Sequence, residues 1–284
     1  MSEAELAMTL PARRAALAPQ NKAHTGLLQR FKYPLISGTA VVLFLVLWQL
    51  SGSLQWVDPL LLPPPSEILA TGADLLANGY RQTPLWEHFL TSVGRALLAF
   101  SVAILFGVPL GLGMGLSPTL AAALNPFVQF LRPLPKIALI PLVIVWFGIG
   151  ESAKFFLIFI SSFLSIVVGA AAAALAVSQA RLRAAQTLGA SRRQLLTHVV
   201  LPNALPELFT SVRLSVGIGW TSLIAAEMVA ANSGLGWMVI NAGSYLRTDV
   251  VLLGIVLLGL AGYFFDWILV QLQRRYAPWA GRES

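Results

Sequence analysis

Residues 181–206 read RLRAAQTLGASRRQLLTHVVLPNALP. The stretch is polar, basic and rich in helix formers, and long apolar runs flank it on both sides. Arg181, Arg183, Arg192 and Arg193 lie in its first half. Ala184 and Ala185 are small enough to let a helix seat deeply in a partner's groove. Gly189 supplies a tight reversal, because glycine adopts positive φ at little cost. Leu201-Pro202 and Pro206 are expected to stop a second short helix before the next apolar run begins. The pattern predicts a helix–turn–helix lying along a membrane surface, a lever through which a partner moves the attached spans.

The composition supports a membrane setting. Of 284 residues, 57% are hydrophobic and 11% charged, with mean hydropathy +0.75, where soluble domains carry about 25% charged residues. The apolar runs have helix length rather than barrel-strand length. The net charge of +7 is assigned to loops that set orientation and meet lipid, not to nucleic acid. The absence of cysteine excludes disulfides, thiol catalysis and thiolate metal sites. His24, His88 and His198 lack metal-ligand spacing. No Ser/His/Asp arrangement and no G-x-x-x-x-G-K-[ST] occur, so the chain is read as a non-enzyme with no cofactor of its own.

The expected organisation is all-α. A polar tail at 1–33 precedes a transmembrane domain at 34–272, with a tail at 273–284. Spans are expected at 34–51, 89–116, 118–149, 155–178, 208–228 and 249–271, with the polar loop at 179–206. The run at 34–51 is longer than a signal-peptide core and lacks a clear cleavage site, so it is read as an uncleaved first span. Three prolines at 63–65 precede a surface helix at about 67–77, capped by Ser66, with Ile68, Leu69, Leu75 and Leu76 on its apolar face. Gly107, Gly111 and Gly115 recur every four residues and form a face for close helix packing. Asn125-Pro126 and RPLPK at 132–136 break the third span, and broken backbone is tolerated in a membrane only where it is buried or lines a cavity. GESAK at 150–154 reads as a short external turn. Twelve Lys and Arg residues fall in the two tails and the 179–206 loop against Arg81, Lys154 and Arg247 on the other side, which places both termini and the polar loop in the cytoplasm.

The loop resembles the coupling loop of bacterial ABC importer permeases. That motif is Glu-Ala-Ala, three residues, Gly, nine residues, Ile-x-Leu-Pro. Here it reads Arg183-Ala184-Ala185, three residues, Gly189-Ala190, and then Val199-Val200-Leu201-Pro202, with Arg183 in place of the acid. LLPPPSEIL, RPLPKIALIPLVIVWFGIG, AAEMVAANSGLGWMV and LRTDVV resemble the taurine, alkanesulfonate and nitrate branch. The resemblance covers roughly residues 34–280. It implies a type I importer permease fold with cytoplasmic coupling helices. It also implies a bacterial inner-membrane location, a second permease chain, two ATPase subunits holding ATP and Mg, and an external binding protein. The cargo it implies is taurine or another alkanesulfonate. Nitrate, a pyrimidine-type vitamin precursor or an aromatic acid in the same machine is the alternative. An ATP-independent secondary carrier is the alternative of another class.

Isolated charges in the spans are candidates for the pathway. Arg132 and Lys136 flank prolines, and a central cation costs about 2.5–3.5 kcal/mol, so each should face protein or water. They line the pathway and attract an anion, cap the carbonyls of the broken helix or snorkel to the cytoplasmic boundary. Arg213 and Glu227 are 14 residues apart on one helix, about 21 Å along its axis, and cannot pair. Glu227 is read as a pathway residue, as a partner across a dimer or as a brace for the 230–248 loop, Arg213 as snorkelling to the boundary, and Arg95 as structural. Tryptophans at 48, 56, 86, 237, 267 and 279 are read as interfacial.

Overall fold

The computed structural model describes residues 27–280. All regular elements among them are helical. The chain divides after Trp56 into two units. The first contains one helix, α1 (Leu27–Ser53), whose residues 35–53 are apolar and long enough to span a membrane. The tail residues 1–26 and 281–284, His24 among them, lie outside the described residues.

The second unit contains α2 (Pro65–Asn78), α3 (Leu85–Leu116), α4 (Pro118–Leu131), α5 (Ile140–Phe147) and α6 (Glu151–Leu175). It continues with α7 (Gln179–Thr187), the single turn α8 (Arg192–Gln194), α9 (Leu201–Ala230), α10 (Leu235–Ser244) and α11 (Thr248–Tyr276). Four of these segments reach membrane-spanning length by themselves, and α4 with 136–147 forms a further pair bent by 91°. With α1 this makes up to six spans.

The centre is α6, which packs along both α3 and α9. Helices in lipid gain little from the hydrophobic effect, so they associate through close packing of small residues. A side chain at Gly107 would place Cβ 2.9 Å from Ile166 Cγ2, at Gly111 2.4 Å from the Val167 carbonyl oxygen, and at Gly115 2.6 Å from Ala174 Cβ. These three glycines therefore set how closely α3 approaches α6. Ala170, Ala173 and Ala174 on α6 meet Leu112, Ala204 and Leu208 in one buried cluster. Ala96, Phe100, Ile158, Val212 and Leu223 form the other main α3–α6–α9 cluster.

Several expectations are corrected. Pro202 and Pro206 do not stop a helix. The chain runs from Arg192 to Val229 as one continuous 38-residue span. Proline lacks an N–H, and the helix accommodates this with a six-residue π segment at Leu195–Val200, where the Leu201 amide donates five residues back to Leu196 O. Asn203 Nδ2 takes up the Val199 carbonyl at 2.6 Å, and Thr210 Oγ1 takes up that of Pro206 at 3.1 Å. The surface helix starts at Pro65, capped by Pro64 rather than Ser66, and buries Ile68, Thr71 and Leu75 while Leu69 and Leu76 face out. The turn expected at 150–154 contracts, because Glu151 and Lys154 already form the first turn of α6. Trp237 is not merely interfacial: it stacks on His88 at 5.6 Å and meets Tyr80 edge-on.

Candidate functional site

The polar hairpin begins at α7, which buries none of its residues. Arg181, Arg183, Ala184, Arg192 and Arg193 are exposed, and Ala185 and Ala190 are partly so. Arg181 is held to the start of α9 by a hydrogen bond to Asn203. The reversal sits at Gly189, with φ +79°. Its amide donates to Gln186 O at 2.9 Å and that of Ala190 to Ala185 O at 3.1 Å, a left-handed stop that glycine accepts without a Cβ penalty. Leu188 beside it is 88% exposed. Ser191 and Gln194 then form a reciprocal capping box at the restart. Because α8, the π segment and α9 are continuous, Val199, Leu201 and Pro202 belong to the root of a span rather than to a separate helix.

The break at 132–136 has a different character. Lys136 Nζ donates to the carbonyls of Leu131, Arg132 and Leu134 at 3.2, 2.6 and 2.8 Å. A cation at the C-terminal end of α4 meets carbonyls that have no helical partner. Lys136 is thus the clasp of the broken helix. Arg132 is exposed, and its side chain has no hydrogen bond or ion pair among the described residues.

At the far end of α3 from the hairpin lies a charged brace that isolated residues did not reveal. Arg95 donates from Nε and Nη2 to Glu151 at 2.7 and 2.6 Å, and from Nη1 to Glu227 at 2.7 Å and the Ser233 carbonyl at 2.8 Å. Lys154 adds a bond to Glu151 at 2.7 Å. Glu227 is fully buried. It accepts from Ser92 Oγ at 2.8 Å and from the Gly236 amide at 2.9 Å. Ser92 also accepts from the Leu235 amide at 2.8 Å, and His88 Nδ1 from the Gly234 amide at 3.1 Å. The first amides of α10, which no intrahelical carbonyl can reach, are thus capped by side chains of α3 and α9. Gly234 has φ +116° and a Cβ there would lie 2.5 Å from Glu227 Oε1. Glu227 is therefore the brace of the 230–248 loop, and its reading as a pathway residue gives way because its carboxylate is enclosed and engaged.

Two more pairs tie the helices. Arg213 does not simply snorkel: it binds Asp266 of α11 through two bonds of 2.7 and 2.9 Å. Thr71 of α2 donates to Asp249 of α11 at 2.9 Å. Asp266 and Arg95 carried a sequence signal, an ionisable residue inside an apolar span, but their partners lie 53 and 56–132 positions away.

Comparison with known proteins places these features. A family profile described as "Binding-protein-dependent transport system inner membrane component" matches residues 91–278. The taurine transport system permease protein TauC of Escherichia coli (strain K12) is 45% identical over 86% of this chain and 89% of its own length. A protein of the same organism, SsuC, whose name assigns it to aliphatic sulfonates transport, is 38% identical over 82% of this chain and 87% of its own. Among solved structures, a chain of the MetNI methionine ABC transporter in an inward-facing conformation superposes with TM-score 0.57 at 22% identity, covering 71% of this chain and 96% of that one, which shows a shared type I permease fold. The continuous hairpin-to-span element, the matched family profile and the two sulfonate-branch relatives agree: the chain belongs to the family of binding-protein-dependent transport system inner membrane components, in the taurine and aliphatic-sulfonate permease branch of the ABC importers.

Proposed function

We propose that this chain forms the translocation pathway of an ATP-driven importer for taurine or another alkanesulfonate. The observation that carries the reading is the 45% identity to a taurine permease over 86% of the chain. The exposed, acid-free hairpin supports the mechanical part. Two copies surround one pathway, both termini face the cytoplasm, and two ATPase subunits grip Arg183, Ala184, Ala185, Gly189 and Ala190. ATP-driven closure of the ATPases pushes the hairpins. Because each hairpin is continuous with α9, the push tilts that span. An external binding protein delivers the cargo, and hydrolysis returns the pathway inward. Arg132, exposed at the helix break, is the cation of this chain best placed to meet an anion in the pathway. Lys136 supports it by holding the break open and capped.

The test is reconstitution of the permease with its ATPase and its binding protein in proteoliposomes. ATP should drive uptake of labelled taurine, and excess nitrate should not compete. Uptake that proceeds on an ion gradient without the ATPase would establish a secondary carrier instead. Uptake of nitrate with none of taurine would overturn the cargo.

A further inference from the structure

Beside the brace, a cavity of about 400 Å³ opens between the start of α6 and α3. Arg95, Glu151 and Ser152 line it, with the rings of Phe147, Phe155 and Phe156. We propose that this cavity binds a small zwitterion, with Glu151 holding its ammonium group and Arg95 its acid group. The proposal rests on the importer reading above and narrows its cargo to sulfonates that carry an amine.

The electrostatics lead to this ligand. Four charged side chains meet here, Arg95 and Lys154 against Glu151 and Glu227, and their charges cancel. A bare anion would gain from Arg95 and be repelled by Glu151 at nearly the same distance. A molecule with both charges a few bonds apart satisfies both. The exposures point the same way. The side chains of Arg95, Lys154 and Glu227 are 8%, 5% and 0% exposed, while that of Glu151 is 65% exposed. The brace therefore leaves one carboxylate at the mouth of a cavity sized for a small ligand, within the usual range of a few hundred Å³.

The bonding capacity is also available. A guanidinium has about five N–H donors, and Arg95 uses four of them. The remaining one is on Nη2. Glu151 Oε1 accepts from Arg95 and Lys154, whereas Oε2 accepts only from Arg95. A ligand can therefore take the free Nη2 proton on its acid oxygen and donate its N–H to Oε2 without dismantling the brace. Phenylalanine faces attract a cation within about 6 Å, and Phe147 and Phe156 pack at 5.1 Å on one side of the cavity.

The experiment uses the intact permease–ATPase complex in lipid nanodiscs without binding protein. It is titrated with taurine and with ethanesulfonate, which has the same chain and no amine, and binding is read by equilibrium dialysis. Taurine should bind at least about tenfold more tightly. Glu151→Gln should abolish that preference by weakening taurine, while ethanesulfonate, no longer repelled by the carboxylate, binds at least as tightly as to the parent; its retained saturable binding shows that the variant is folded. Phe147→Leu, which keeps the packing apolar but removes the ring, should weaken taurine alone. Equal binding of the two ligands by the parent, a preference that survives Glu151→Gln, or no saturable binding overturns the site. If the same complex, reconstituted in proteoliposomes with its binding protein, still imports taurine, the importer reading stands without the site. If it imports no sulfonate but shows Glu151-dependent binding of β-alanine, the zwitterion site stands and the cargo falls.

Discussion

Replacement of Gly189 by valine tests the hairpin as a lever. A Cβ at this position meets nothing within 4 Å, so steric overlap with the rest of the chain contributes nothing. The whole penalty is in the backbone. At φ +79° an L-residue loses about 1–2 kcal/mol, and a β-branched one more. If the turn relaxes instead, the two bonds from Gly189 and Ala190 to α7 are lost, at about 0.5–1.5 kcal/mol each. The variant takes whichever route costs less, so it loses about 1–3 kcal/mol relative to the parent turn, a factor of about 5 to 150. The spans lie outside this local equilibrium. The variant should insert and melt like the parent. ATP hydrolysis and taurine uptake, measured in the same proteoliposomes, should separate: hydrolysis persists and uptake falls at least about fivefold. Gly189→Asn, which tolerates the left-handed region, should restore most of the uptake. Normal uptake by the valine variant would refute the reasoning, as would equal failure of valine and asparagine.

Three further outcomes follow from the same geometry. Gly234→Ala has a left-handed backbone and would place its Cβ only 2.5 Å from an oxygen of a buried carboxylate, so it should destabilise the chain by about 3–5 kcal/mol, combining strain with loss of charge-assisted bonds, seen as a large drop in detergent melting temperature. Lys136→Met removes the clasp from three carbonyls; hydrogen exchange across 131–139 should accelerate and uptake should fall, while the hairpin still recruits the ATPase. The Arg213–Asp266 pair is half-exposed, so its double-mutant coupling, read by melting, should be no more than about 1 kcal/mol, and the swapped pair should recover most of it.

Much of the architecture was legible because membrane spans are written in local composition. The runs behind α1, α3, α6 and α11 are apolar enough to be read one at a time. The prolines at 133 and 135 announced the broken span, since no neighbour can supply their missing N–H. Gly189 announced its turn for an equally local reason. The two prolines at 202 and 206 misled because a proline is only a stop when the helix cannot absorb it. Here the helix absorbs them with a π segment before Pro202, and that compensation is decided over several residues at once. The orientation of α2 was misread because its inner face is chosen by contact with α11, which places Thr71 rather than Leu69 on the buried side.

The charged residues divide along the same line. That each intramembrane ion must have a partner or face water followed from the sequence alone, since hydrocarbon leaves no other option. Who the partners are did not. Glu227 and Arg95 were an acid and a base without assigned partners until packing brought α3, the start of α6 and the end of α9 to one point, across separations of 56 to 146 positions. By itself the sequence determined that this is a membrane helix bundle with a basic, glycine-hinged hairpin, because hydropathy, proline and glycine act within a few residues. Only the tertiary structure decided that the hairpin is the root of α9 and that four charges close a neutral brace beside a cavity, because ion pairs depend on distances in space that chain spacing does not encode.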